Sequence, residues 1–205
     1  MSTFMRSVLV VCFVFGGLAP APMARAVENT FDVDFNEGED VNERVEGTLE
    51  FHGPDGFIVK FKDDGTDGSS GGTADGTHIT DVGYGNNKAG SGDYVLGALN
   101  DWNGYVNFHS SGIVAEFNHG AKSVSLFDAD DDPTLKTLFA FDADGLLIGQ
   151  TDPGAQKTFT IDTSMTGGVL IYQIEFDTEA GDAGGSHDGT YFTIDDVLFE
   201  GLDPD

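Results

Sequence analysis

From Thr30 onward, apolar and polar residues alternate in short runs broken by Gly, Asp and Asn, and no long stretch combines helical spacing with good helix formers. That is the pattern of half-buried strands, and it predicts an all-β chain. Thr30-Phe-Asp-Val-Asp-Phe35 alternates with period two. Leu49–His52 and Phe57–Phe61 flank Gly53-Pro-Asp-Gly56, whose Pro-Asp-Gly step presets a turn, so the two runs read as a hairpin. Further strands are predicted at Thr77–Val82, Tyr94–Leu96, Gly104–His109, Ile113–Phe117, Ser123–Phe127, Leu135–Phe141 and Leu146–Gly149, then at Phe159–Ile161, Val169–Phe176 and Tyr191–Phe199. Roughly a dozen short strands separated by turn residues point to two packed antiparallel sheets rather than a parallel α/β fold. The expected architecture is a two-sheet antiparallel jelly-roll sandwich. Gly65–Gly76 contains no large apolar residue and is expected to be a mobile surface loop.

In the last predicted strand the alternation changes phase. Phe192 and Ile194 share one parity and Val197 and Phe199 the other, so the register must slip at Asp195-Asp196, and a β-bulge does this. Two carboxylates inside an otherwise apolar strand are costly to bury unless donors or a cation satisfy them. The first strand adds Asp32 and Asp34 at alternate positions. Chain termini tend to lie close together, so Asp34 with Asp195 or Asp196, plus backbone carbonyls, would give the all-oxygen cage that calcium prefers. The competing reading is that these aspartates face solvent at a sheet edge and discourage strand addition.

The residues before the first strand change the picture of where the chain works. Arg6, an apolar run from Val8 to Ala19 and the Ala24-Arg-Ala26 step follow the order of a secretory signal. That run is too short for a membrane span, which takes roughly 20 residues. Residues 1–26 are therefore expected to be removed and residues 27–205 to form one domain, secreted or at the cell surface, with no membrane insertion after cleavage. The single cysteine, Cys12, falls within the signal, so the exported domain has no disulfide and must be held by its core, its hydrogen bonds or a metal.

With 36 acidic residues against 9 basic ones, the formal charge is −27, and loss of the leader's two arginines makes it more negative. Nucleic acid is thereby excluded as a partner. Such a surface attracts divalent cations; it is equally the surface of a salt-adapted protein.

Asp128, Asp130 and Asp132 match the opening spacing of an EF-hand loop, but the loop lacks its central Gly and carries Phe139 where Glu is required. It reads better as an acidic exposed loop, with a looser cation site as the alternative. Asp142-Ala-Asp-Gly145 reads as turn chemistry. Trp102, the one tryptophan, lies in Asn100-Asp-Trp-Asn-Gly104 with Tyr84, Tyr94 and Tyr105 near it in sequence. Flat aromatic faces beside amides and carboxylates are what stacking on a sugar ring needs, although Trp102 could instead pack one end of the core. Enzyme signatures are close to absent. Gly68-Ser-Ser-Gly-Gly72 fits a nucleophile elbow around Ser70 only formally, since no buried strand precedes it and no helix follows. The five histidines show no paired zinc spacing.

Three segments together resemble a known group of domains: the opening Phe31-Asp-Val-Asp-Phe35, the pair Ser123–Phe127 with Leu138–Gly149, and the closing Phe192-Thr-Ile-Asp-Asp-Val-Leu-Phe199. They resemble the jelly-roll domains of exported bacterial proteins related to carbohydrate-binding modules and galactose-binding-like folds. The resemblance implies a structural calcium tying the first and last strands, which falls here on Asp34 and Asp195 or Asp196. Many such domains end in a C-terminal sorting tail. This chain closes on Glu200-Gly-Leu-Asp-Pro-Asp205 without one, so free secretion or non-covalent retention is expected. The function expected is non-catalytic recognition of an extracellular polysaccharide or matrix component. The alternative is a structural or adhesive protein that self-associates through calcium and its acidic face.

Overall fold

The computed structural model describes residues 30–33, 35, 44–46, 48–63, 76–81, 90, 94–98, 100–102, 105–107, 112–131, 133–178 and 192–203. Fifteen strands occur among them: β1 (Thr30–Val33), β2 (Arg44–Glu46), β3 (Leu49–His52), β4 (Ile58–Asp63), β5 (Gly76–Asp81), β6 (Tyr94–Ala98), β7 (Asn100–Trp102), β8 (Tyr105–Asn107), β9 (Ile113–Ala121), β10 (Ser123–Asp128), β11 (Thr137–Phe141), β12 (Leu147–Gln150), β13 (Thr158–Asp162), β14 (Ile171–Asp177) and β15 (Thr193–Glu200). A 3-10 turn at Pro54–Gly56 is the one departure from strand and loop among the described residues.

One sheet has the order β13-β10-β15-β6-β5-β2, with β1 also paired to β15; the other has the order β12-β11-β14-β9-β4-β3. All pairings within both sheets are antiparallel. The chain is therefore the all-β, two-sheet sandwich its alternation predicts. From β9 onward it changes sheet at Lys122, at residues 129–136, at residues 151–157, at residues 163–170 and again before β15. These repeated crossings make strands distant in sequence into neighbours, as a jelly roll requires.

The period-two pattern explains which faces meet. Val124 and Leu126 of β10 and Phe159 and Ile161 of β13 are buried, while their sequence neighbours are partly or fully exposed. They join Val33, Phe61, Leu96, Ile174, Phe176, Val197 and Phe199 in one apolar cluster between the sheets. Aromatic rings span it: Phe199 of β15 lies 5.3 Å from Phe57 and 5.1 Å from Phe117 of β9, and Phe159 lies 5.2 Å from Phe176 of β14. Such ring pairs contribute about 0.5–1.5 kcal/mol each beyond the area they bury. That is how a domain without disulfides joins its sheets.

The predicted turns are present. Asp55 and Gly56 both hold left-handed backbone (φ 53° and 79°), and Phe57 N–H donates to Pro54 O at 2.9 Å to close the β3–β4 hairpin. β2 and β7 lack apolar alternation and were not predicted. Most of the predicted surface loop lies outside the described residues, and β5 begins at its last residue, Gly76.

Candidate functional site

The bulge expected in the last strand is observed. Phe127 of β10 faces Asp195 and Ser125 faces Leu198, so β15 carries one residue more than its partner across this interval. Asp196 absorbs the surplus in left-handed backbone, φ 48°, which Asp tolerates better than most side chains. On its other edge β15 changes neighbour at the same place. Thr193 and Ile194 pair with β6, whereas Val197 to Glu200 pair with β1. Asp195-Asp196 thus marks a seam between two partners. Asp195 is fully buried and Asp196 half-buried. Gly90 comes so close that a Cβ there would crowd the Asp196 carboxylate and the Phe127 ring.

The first and last strands are direct neighbours, with Val33 opposite Val197. Asp34, the next residue, lies outside the described residues. Among the described residues no group of three or more His, Cys, Asp and Glu is placed to hold a metal ion.

The aromatic candidates are divided. Trp102 and Tyr105 are backbone register partners in an antiparallel ribbon made of β7 and β8, which belongs to neither large sheet. Tyr94 opens β6 within a large sheet and pairs with Asp81. Tyr84 and Ser70 lie outside the described residues.

The acidic loop after β10 departs from expectation. Asp128 and Asp130 are buried rather than exposed, and the cation between them is the chain's own Lys136, itself 0% exposed. Lys136 Nζ donates to Asp130 Oδ2 at 2.9 Å and to Asp128 Oδ1 and Oδ2 at 3.2 and 3.3 Å. Asp128 also accepts the backbone N–H of Gln156 at 2.9 Å and that of Asp130 at 3.3 Å. Burial pushes the Asp128 carboxyl above the ordinary carboxylate range, against the opposing pull of Lys136 and of these hydrogen bonds. The Lys136 ammonium also stands 6.0 Å from the centre of the Phe192 ring.

Hydropathy inverts here, for Leu135 is 60% exposed while the adjacent Lys136 is sealed. The sequence signal was a lone lysine opening a strand of entirely buried residues, Thr137–Phe141. Alternation alone assigns that lysine no inward role.

No protein-family model matches this chain, and no curated protein matches it. Among solved structures, a DUF4465 family protein from Bacteroides caccae ATCC 43185 is similar over 92% of this chain and 97% of its own, with 14% identity and a TM-score of 0.36. A likeness that weak carries no weight for fold or function.

Proposed function

We propose that this chain is an exported, non-catalytic β-sandwich module of the carbohydrate-binding kind, recognising an extracellular polysaccharide or matrix polymer through the Trp102–Tyr105 ribbon. The observation that supports this most is the cross-strand Trp102–Tyr105 pair on a ribbon outside both large sheets. Two aromatic residues on one small element, flanked by Asn100, Asn103 and Asn107 in sequence, combine stacking faces with the amides that sugar hydroxyls bond. Tyr84 and Tyr94 complete the proposed contact set.

Calcium is proposed as the structural ion at the β1–β15 seam, held by Asp34 with Asp195 or Asp196. The donor set is all oxygen, as calcium requires, and the bulge brings two carboxylates to the place where β15 exchanges one neighbour for another.

Trp102 is the one tryptophan, so intrinsic fluorescence reads the ribbon directly. Titration with a panel of soluble bacterial and plant polysaccharides is expected to shift the emission, and Trp102→Ala is expected to lose retention on the corresponding insoluble polymer while keeping its circular dichroism. Equal retention of Trp102→Ala and the parent would sink the reading. For the ion, the unfolding midpoint is measured in calcium and magnesium at fixed ionic strength, since any cation relieves an acidic surface. A calcium-specific rise in midpoint, corresponding to about 2.7 kcal/mol of added unfolding free energy at a hundredfold excess over Kd and absent in Asp34→Ala and Asp196→Asn, is expected. Assembly in calcium without polysaccharide binding would favour the adhesive alternative.

A further inference from the structure

We propose that Lys136 and Asp130 form a self-modifying pair, in which Lys136 Nζ attacks Asp130 Cγ and closes an intramolecular amide bond with Asp128 as the proton relay. Reacting groups are already in contact, for Nζ lies 2.9 Å from Asp130 Oδ2 and within 3.3 Å of both oxygens of Asp128. All three side chains are withdrawn from water. Held neighbours in a dry site react with effective molarities that reach about 10⁵–10⁸ M when the geometry is good.

The environment also favours the product. A buried ion pair keeps two charges from water and gains back only part of that cost. Condensation removes two of the three buried charges as a neutral amide and one water, and Asp128 keeps the Gln156 and Asp130 N–H donors that hold it.

The steps balance. Asp130 takes a proton from the Lys136 ammonium along their 2.9 Å contact, leaving a neutral amine beside a carboxylic acid. The amine lone pair adds to Cγ, and Asp128 takes a second proton from the nitrogen. Asp128 passes that proton to the departing hydroxyl, which leaves as water as the carbonyl re-forms. A carboxylate and an ammonium have become an amide and water, with every proton drawn from the ammonium.

The assignment of roles follows from the contacts. Asp128 is fixed by two backbone N–H donors besides the lysine, as a relay must be. Burial holds its carboxyl above the ordinary range, so it takes up a proton more readily than an exposed carboxylate does. Asp130 presents the oxygen nearest to Nζ.

The intact mass of the purified chain decides the matter. The expected result is a mass one water below the sequence value. Trypsin should leave residues 123–157 as one peptide, because the acylated Lys136 is no longer a cleavage site. Asp130→Asn should instead lose one ammonia, its leaving group, and Lys136→Arg should keep its full mass; these readouts move with bond formation and not with folding. A wild-type chain of full mass that trypsin cuts after Lys136 overturns the proposal. So does a water loss that maps to an Asp-Gly step such as Asp144-Gly145, where it marks a cyclic imide.

Discussion

Asp128, Asp142 and Asp162 each stand at the end of a strand, and on each the carboxylate Oδ1 accepts the backbone N–H two residues on, at 3.3, 2.9 and 2.8 Å. Local chemistry is the same in all three: an aspartate folds the chain back on itself by imitating a backbone acceptor. Their surroundings differ. Asp142 and Asp162 open exposed turns at the rim, where a second bond to Leu146 N–H, or to the Ser164 hydroxyl, completes the turn. Asp128 begins a crossing between the sheets. There Gln156, Asp130 and Lys136 close over it and water is shut out. The same turn-forming residue is a hinge in one place and half of a buried charge cluster in the other, because what packs over it comes from elsewhere in the chain.

The largest break in this comparison is Lys136→Met, which keeps the length of the side chain and removes its charge. Asp128 and Asp130 are then buried without the ammonium, and the unfolding free energy by urea titration should fall by about 3–5 kcal/mol. Next comes the exposed turn. Asp142→Ala removes the acceptor for both Asp144 and Leu146 N–H, groups that water can reach, so about 1 kcal/mol should be lost. Gly145→Ala should cost a similar or slightly larger amount, about 1 kcal/mol, because Gly145 holds φ +75°. A loss at Asp142 equal to that at Lys136 would mean that burial adds nothing to the turn.

The smallest effects are in the pH dependence, and there the two kinds of aspartate should differ in sign. Asp128 has a raised pKa in the folded state through burial, so the fold binds a proton more readily than the unfolded chain. Its contribution is fully present below the ordinary carboxylate pKa and is lost as pH rises through the raised value. Asp162 is held low chiefly by the Ser164 hydroxyl, then by the Ser164 and Met165 N–H groups. Its contribution is present above the ordinary value and is lost as pH falls through the lowered one. Stability measured across the acid range should therefore flatten in opposite directions in Asp128→Asn and Asp162→Asn. Slopes of the same sign would contradict the contrast.

Much of the fold was legible because it is written in contacts one or two residues long. Alternation marked most of the strands, Pro54-Asp-Gly56 and Asp142–Gly145 marked their turns, and the change of phase at Asp195-Asp196 located a bulge before any pairing was known. β2 and β7 escaped because Arg44–Glu46 and Asn100–Trp102 have no alternation to read; their strand character comes from the partners they pair with. Of the candidate site, the closeness of the first and last strands was anticipated, whereas the change of neighbour at the bulge was not. Trp102 and Tyr105 were grouped by sequence proximity, and the ribbon pairs them directly.

The sequence by itself determined an all-β chain, the place of most of its strands, and where its register slips, since side-chain alternation and turn chemistry act between near neighbours. Only the tertiary structure decided that Lys136 is sealed while Leu135 is exposed, and that an acidic loop expected at the surface closes on a lysine. Burial depends on which distant segments converge: Gln156, Phe192 and the crossing after β10 meet there only once both sheets have closed.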